Sequence, residues 1–444
     1  MDYGRSIEYL LSFTDFERNG GFTHRPDVAP MRALLRHLDE PHRGRLTVHV
    51  AGSKGKGSTA AMIASILLES GLKTGLYTSP HLHHICERIR IGGEPISRQA
   101  FAHCASRLPS ALGVTRNHMP DRSLVTFDLL TAMAFLAFRE VKAEAQVLET
   151  GLGGRVDSTN AVDEKQVCVI TAVSLEHQAI LGDTLPQIAA EKAGIISRGT
   201  TVILAKQPES VTEVIRRVCR EREATLIEAE AVCDFQRRCR GVEGQEIKLK
   251  TPHGHYEFWL PLLGLHQAEN AAAAVLAVEA LRPYNVMASP THVRDGLAKM
   301  QWPGRMEVLS RQPLLIADGA HNAESARRLR ETLSEDLGFT RATFIIGVSR
   351  DKDTTGMERE LRPMAQRLIA TRSRHPRALE ARQVAAAFSL NGVSAEPVES
   401  VPEAVEIALT GSNPDGVVCI AGSLFVAAEA RAHILGIEHE VIGG

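Results

Sequence analysis

Three features of this sequence predict an α/β fold in two domains, each built on a parallel sheet. Short β-branched runs alternate with amphipathic stretches, a rhythm that yields strands joined by crossover helices. One such run passes directly into a glycine-rich loop and then a helix. The strand–helix rhythm restarts beyond Trp302-Pro303-Gly304-Arg305, which reads as a hinge.

Residues 46–51 read as a buried strand, and 60–70 as a helix with Met62, Ile63, Ile66 and Leu67 on one face. Gly71 is placed to end that helix, and 73–78 form the next strand of a βαβ unit. Residues 127–141 are helical, and the strand 145–148 ends on Glu149. A strand over 167–173 precedes Ser174-Leu175-Glu176-His177, followed by a helix over 184–195 and a strand over 200–204. Between about 233 and 260 the segments 246–250 and 255–259 flank Pro252-His253-Gly254 and predict a hairpin or small antiparallel insert. Residues 267–281 return to helix. Past the hinge, strands are read at 314–317, 343–347 and 417–421, with a helix from about Ala323. The expected domains are 1–303, carrying the insert at about 233–260, and a smaller Rossmann-like α/β domain at 304–444.

A chain of 444 residues is long enough for two such cores. Its 44% hydrophobic content and net charge of -2 describe an ordinary soluble globular protein and lend no support to nucleic acid as a partner. Seven scattered cysteines without a CxxC pair suit free thiols in a reducing cytoplasm. Asp2, Arg5 and Glu8 argue against a secretory leader. The most apolar helix candidate, 129–138, is bounded by Asp128 and Arg139 and is about half a membrane span. With no obvious assembly segment, a monomer is expected.

Chemistry enters at Ala51-Gly52-Ser53-Lys54-Gly55-Lys56-Gly57-Ser58-Thr59. Glycines let backbone N–H groups turn inward, and the helix start adds partial positive charge. Lys56 can reach a polyphosphate, and Ser58 offers a hydroxyl to the accompanying Mg²⁺. The usual P-loop pattern ends Gly-Lys-Ser/Thr; here the lysine precedes the last glycine. A P-loop-type, ATP-binding first domain follows from strand, loop and helix in that order.

Ligands in open α/β sheets sit at the carboxyl ends of strands. There Glu149 can hold Mg²⁺, followed by Gly151-Leu152-Gly153-Gly154-Arg155, and Glu176 and His177 arrive at another strand end. In the second domain Asp318-Gly319-Ala320-His321-Asn322 follows a strand, so Asp318 and His321 could reach across a cleft. Asn270 and Arg305 lie near the junction, where contacts to a nucleotide base and phosphates make sense. Lys192, late in its helix, reads from spacing alone as a surface lysine. His81-Leu82-His83-His84 lacks the further ligands a zinc site needs.

These stretches, together with Tyr77-Thr78-Ser79-Pro80-His81-Leu82 and Glu191-Lys192-Ala193-Gly194-Ile195, resemble the folylpolyglutamate synthase/dihydrofolate synthase family of the Mur ligase superfamily. The resemblance runs from about residue 7 to Ala421-Gly422-Ser423-Leu424. It implies an ATP-dependent amide ligase adding L-glutamate to dihydropteroate or to the glutamate tail of a reduced folate, through an acyl phosphate. On this resemblance Gly52, Gly55, Lys56, Gly57, Ser58, Thr59, Asn270, Arg305, Asp318 and His321 would contact ATP. Ser58 and Glu149 would ligate one Mg²⁺, and His177 would help hold a second. Lys56, Lys192, His177 and Arg305 would be catalytic, with Lys192 carbamylated. Thr78, Ser79, Pro80 and His81 would form a mobile loop near the folate. The chain departs from the family where Ser53-Lys54 replaces Thr-Asn and Glu176 replaces Asp. Alternatives are a superfamily ligase acting on a non-folate acceptor, and a nucleotide-binding regulator without ligase activity.

Overall fold

The structure is a computed structural model describing residues 1–16, 27–118, 123–389 and 394–440. Its first sheet has eight strands: β1 (Leu46–Ala51), β2 (Thr74–Tyr77), β3 (Ile89–Ile91), β4 (Glu94–Pro95), β5 (Ala145–Glu149), β6 (Val167–Ile170), β7 (Thr201–Leu204) and β8 (Thr225–Glu228). Their order is β4-β3-β2-β5-β1-β6-β7-β8. Strands β2, β5, β1, β6, β7 and β8 run parallel, and β3 and β4 add an antiparallel edge.

The central strands carry near-continuous apolar runs because helices cover both faces. Val48 and Val50 pack with Ile63, Ile66 and Leu67 of the helix Lys56–Glu69 and with Leu276 of the helix Leu265–Glu279. Tyr77 and Leu148 face Phe135 and Phe138 of the helix Thr126–Glu140.

Two elements bordering the glycine loop differ from expectation. The helix read over 60–70 begins at Lys56, because Gly55 adopts the left-handed conformation (φ 84°) and starts the helix at once. The strand read over 167–173 stops at Ile170. Beyond it the Ala172 carbonyl accepts from the Ser53 and Lys54 N–H groups, so the glycine loop takes the place of a neighbouring strand.

A three-stranded antiparallel sheet follows, of β9 (Asp234–Cys239), β10 (Gln245–Thr251) and β11 (Gly254–Leu260), in the order β11-β10-β9. Strand β9 was not anticipated, since Asp-Phe-Gln-Arg-Arg-Cys carries little apolar signal. Ile247, Leu249, Tyr256 and Phe258 join the core around the helix Leu265–Glu279. Arg237 forks onto Asp336 with bonds of 2.6 and 2.7 Å, tying this sheet to the region beyond the hinge.

The last sheet comprises β12 (Glu307–Arg311), β13 (Leu314–Ala317), β14 (Ala342–Ile346), β15 (Ala365–Thr371), β16 (Ala395–Val398) and β17 (Val417–Ala421). It is ordered β12-β13-β17-β14-β15-β16 and is parallel except for β12. The chain then returns to the first sheet's side: Tyr3 Oη donates to Glu440 at 2.8 Å, and the Glu440 N–H donates to the His83 carbonyl at 2.9 Å. Arg431 adds a bond to His83 Nε2 at 2.9 Å.

The helix Lys56–Glu69 is held from behind by the helix Pro290–Ala298. The Ser65 hydroxyl donates to the Gly296 carbonyl at 2.6 Å, and a Cβ on Gly296 would fall 2.9 Å from the Ile66 Cα. Gly296→Val should therefore push the two helices apart and cost roughly 1–3 kcal/mol of stability. Denaturant unfolding unchanged from the parent would remove this close approach as a constraint on the fold.

Candidate functional site

Parallel pairing decides which side chains can meet. Val50 of β1 is level with Glu149 of β5, and Ala51 is level with Ile170 of β6, so the three carboxyl ends lie side by side. The glycine loop leaves the middle strand. Gly52 packs so tightly that a Cβ would fall 1.8 Å from Thr171 Oγ1, and a Cβ on Gly55 would fall 2.4 Å from Asn270 Oδ1. The helix that follows has no side-chain cap. Its first-turn N–H groups are therefore left for a ligand, where the helix dipole favours an anion.

A cleft of about 2440 Å³ opens over these strand ends and is lined from both sides of the hinge. Lys54, Gly55, Lys56, Gly57, Ser58, Glu149, His177, Asn270, Arg305, Asp318 and His321 all line it. Gly52 and Thr59 do not. Thr59 is fully buried, and Gly52 contributes its carbonyl to Lys192 rather than facing the cleft. Of the loop 78–81, Ser79 and Pro80 line the cleft, across a cis peptide bond. Thr78 and His81 hold that loop from behind: the Thr78 N–H donates to the Arg88 carbonyl, and His81 Nδ1 accepts from Arg88 Nε at 2.9 Å.

Lys192 corrects the surface reading outright. Its side chain is 1% exposed, and Nζ donates to the Gly52 carbonyl at 2.8 Å and to Glu176 Oε1 at 2.9 Å. Burial pushes its pKa down, while Glu176 opposes that shift. For Glu176 burial would raise the pKa, yet Lys192, Lys56 and Lys54 together hold it well below the usual carboxylate range. His177 sits at φ 46° where the loop turns into a short helix. Burial, then Lys352 and Lys56 against the pull of Glu176, lowers its pKa to about 4, so the ring is neutral and has a lone pair to offer at pH 7.

The second domain's pair splits in its behaviour. Asp318 lines the cleft but turns both oxygens to backbone beyond the hinge, accepting from the Met306 N–H at 2.9 Å and the Ala320 N–H at 2.8 Å. His321 does: its Nε2 lies 3.0 Å from Lys54 Nζ. Arg305 lies over Gly319, where a Cβ would fall 2.2 Å from Nη1.

Several contributors escaped the sequence reading. Gln267 donates to Ser58 Oγ at 3.4 Å and accepts from Asn270 at 3.1 Å, linking the loop to the helix Leu265–Glu279. Arg350, Asp351 and Lys352 line the cleft just after β14. Extending the strand-end rule to that strand would have found them. Asp128 and Asp157 brace the wall between residues 151 and 160: Ser158 Oγ donates to Asp128 at 2.6 Å, and the Leu152 N–H to Asp157 at 2.9 Å. Phe127, Val125, Val156 and Leu181 give this end of the cleft an apolar lining.

The residues present fit Mg²⁺. Glu149 is 5% exposed and faces the loop, with Oε2 3.2 Å from where a Gly57 Cβ would stand, and the Ser58 hydroxyl is adjacent. Among the described residues no three His, Cys, Asp or Glu side chains converge. A hydroxyl and one carboxylate beside phosphate oxygens and water are the donor set this ion prefers.

Comparison with known proteins agrees with the fold. The Mur ligase middle domain matches residues 50–278, and the Mur ligase glutamate ligase domain matches residues 304–424. The dihydrofolate synthase/folylpolyglutamate synthase of Bacillus subtilis is 34% identical over 421 residues, covering 93% of this chain and 96% of that protein. Mycobacterium tuberculosis folylpolyglutamate synthase, solved with ADP and AMPPCP, superposes with a TM-score of 0.89 at 32% identity over 99% of this chain and 100% of that one. E. coli FolC in complex with DHPP and ADP superposes with a TM-score of 0.86 at 28% identity over 98% of each chain.

The buried Lys192–Glu176 pair yields a test. With the Lys192 amine unmodified, in CO₂-free buffer, Glu176→Gln leaves a buried cation without its counter-charge and should cost roughly 3–5 kcal/mol at pH 7. Because the folded-state pKa of Glu176 is depressed, its contribution is complete above the ordinary value of 4.5 and is lost as pH falls through the folded value. The stability gap between parent and variant should therefore narrow progressively below that pH. A gap constant between neutral and acid pH would show that the pair does not titrate with folding.

Proposed function

This chain belongs to the folylpolyglutamate synthase/dihydrofolate synthase family of Mur ligases, and from that premise we propose how its residues share the work of an ATP-dependent ligase that adds L-glutamate to folates. The observation that carries the assignment is one cleft holding the glycine loop, Glu149 and His177 from the first sheet with Arg305 and His321 from beyond the hinge. We take residue 303 as the boundary between the two domains.

In this proposal the ATP phosphates lie on the uncapped first turn, with Lys56 at the β- and γ-phosphates and Asn270 fixing the loop through Gly55. Ser58 and Glu149 would hold one Mg²⁺, and His177 would help hold a second. When bound, Mg²⁺ screens phosphate charge and polarises the γ-phosphoryl group. The acceptor carboxylate attacks the γ-phosphorus in line; its bond to the ADP oxygen breaks, and an acyl phosphate forms. The glutamate amine then attacks the acyl carbon and gives up a proton. The tetrahedral intermediate collapses to the amide as phosphate leaves. Lys56 and Arg305 offset charge on the transferring group, and the second domain shields the acyl phosphate from water. Asp318 acts through the turn that presents His321. Ser79 and Pro80 face the acceptor, with Thr78 and His81 behind them.

Lys192 we propose to be carbamylated: its amine attacks the carbon of CO₂, loses a proton and becomes an anion. Burial favours the neutral, nucleophilic amine that this step needs. The new anion beside Glu176 would turn a cation-rich corner into a better setting for a second divalent ion. We propose a monomer as the working unit. Seven free cysteines support a reducing, cytoplasmic setting. Among the described residues no helix is long and apolar enough to cross a membrane.

The deciding experiment is ADP release with Mg²⁺-ATP and L-glutamate, comparing dihydropteroate with tetrahydrofolate and weighing the ligated product. We expect turnover with both. Silence with both would return the non-folate alternative. Lys56→Ala should reduce turnover by about 10²–10³-fold while the protein stays folded, as loss of one electrostatic stabiliser typically does. For Lys192, CO₂-free buffer should depress activity and bicarbonate restore it. Full activity after exhaustive CO₂ removal would exclude the modification.

A further inference from the structure

The glycine loop carries two lysines, and the ligation chemistry employs only Lys56. Lys54 stands where the family usually places Asn, and its surroundings in this chain are specific. The Ser53 and Lys54 N–H groups both donate to the Ala172 carbonyl, at 2.8 and 3.1 Å. The Ser53 hydroxyl, the other departure from the family pattern, donates to the Ser174 carbonyl at 3.0 Å. With its backbone pinned to this segment, Lys54 extends across the cleft to His321, 267 positions away in the chain.

Donor and acceptor roles follow from valence. An ammonium has three protons and no lone pair, so Lys54 Nζ donates and His321 Nε2 accepts over their 3.0 Å separation. The imidazole proton then belongs on Nδ1, which lies 2.8 Å from the Gly319 carbonyl and donates to it. Both ring nitrogens are satisfied, and the ring has one tautomer and one orientation. Glu176 Oε2, 4.0 Å from Nζ, supplies the countercharge from the first-domain side. The Lys54 charge, and after it burial, keeps His321 well below its ordinary pKa, consistent with a neutral ring.

We propose that Lys54 is a positioning residue: through His321 it seats the second domain on the phosphate loop and fixes the spacing between the two halves of the cleft. The inference rests on the ligase reading for its kinetic consequence but not for the contact itself. Asparagine is too short and uncharged to make the same span. This chain thus joins its domains at the reacting end by a charge-assisted bond rather than by shape alone.

The test uses full-length Lys54→Met, Lys54→Arg, His321→Ala and the Lys54→Met/His321→Ala double variant, each checked for an unchanged melting profile. Misplacing a reacting group by about an ångström can cost about 10²-fold. Lys54→Met should therefore lower kcat by roughly that factor and leave ADP affinity near the parent's. Lys54→Arg, which keeps charge and donors, should recover most of the rate. In the His321→Ala background Lys54→Met should add nothing, since the contact is already gone. A loss of ADP affinity equal in both backgrounds would make Lys54 a direct phosphate ligand and overturn the proposal, as would an unchanged kcat. A substrate-free arm follows the ¹⁵N-labelled His321 ring, its signals assigned by their loss in His321→Ala. The parent should show a neutral ring protonated at Nδ1, and Lys54→Met should disturb it. An undisturbed ring would overturn the contact even if ligation proceeds. Should the parent ligate neither acceptor, the ligase reading falls, and the ring-nitrogen result alone decides Lys54.

Discussion

Strand β1 lies between β5 and β6, and all three run the same way. Everything else in the site depends on that pairing. Parallel register brings the carboxyl end of each strand to the same edge, so the glycine loop, Glu149 and the 171–177 segment emerge together although up to about 125 residues separate them in sequence. A slip in register would move Glu149 from the loop to the core and leave a buried carboxylate unpartnered. Packing enforces the arrangement: the central strands are buried on both faces, and the helix after the loop is clamped against Gly296 by a contact that tolerates no side chain.

Upon this frame the chain concentrates positive charge that its overall balance conceals. The net charge is -2, yet Lys54, Lys56, Lys192 and Lys352 all bear electrostatically on Glu176 or His177 at one corner. Like charges held together are costly without an anion, and Glu176 is the protein's own. A polyphosphate brings more negative charge to the same place, which makes the corner a low-cost receptor for it and raises its local concentration. The lysines hold the Glu176 carboxyl down, whereas burial lowers the Lys192 amine against the pull of Glu176.

The two halves are joined across the cleft and outside it as well as by the hinge. Across the cleft Lys54 meets His321; elsewhere Arg237 forks onto Asp336, and the C-terminal residues return to Tyr3 and His83. His83 also follows closely on the loop carrying Ser79 and Pro80, so the position of the second domain and the shape of that loop share a support. The histidine run 81–84 thereby acquires a structural meaning: its members bond to Arg88, Arg431 and Glu87.

Local physics was enough for much of this. A β-branched run before closely spaced glycines forces strand, turn and helix whatever lies elsewhere, so β1, β13 and β17 and the glycine loop were legible, and the resemblance supplied the family. Strand ends beyond the loop were legible too, because a carboxylate directly after an apolar run must leave the core at the sheet's edge, where ligands bind. What the sequence could not contain was distance. Lys192 looks like a surface cation by helix position, and only the fold shows it buried against Gly52 and Glu176. Asp318 and His321 look alike as strand-end groups, and only the fold ties one to the backbone of Met306 and Ala320 and sends the other across the cleft. Strand β6 was read too long because nothing local reveals that another loop will claim its hydrogen bonds. The residue types and their order set which chemistry was available; which groups meet is a long-range property of the parallel sheet, decided only when strands distant in sequence pack side by side.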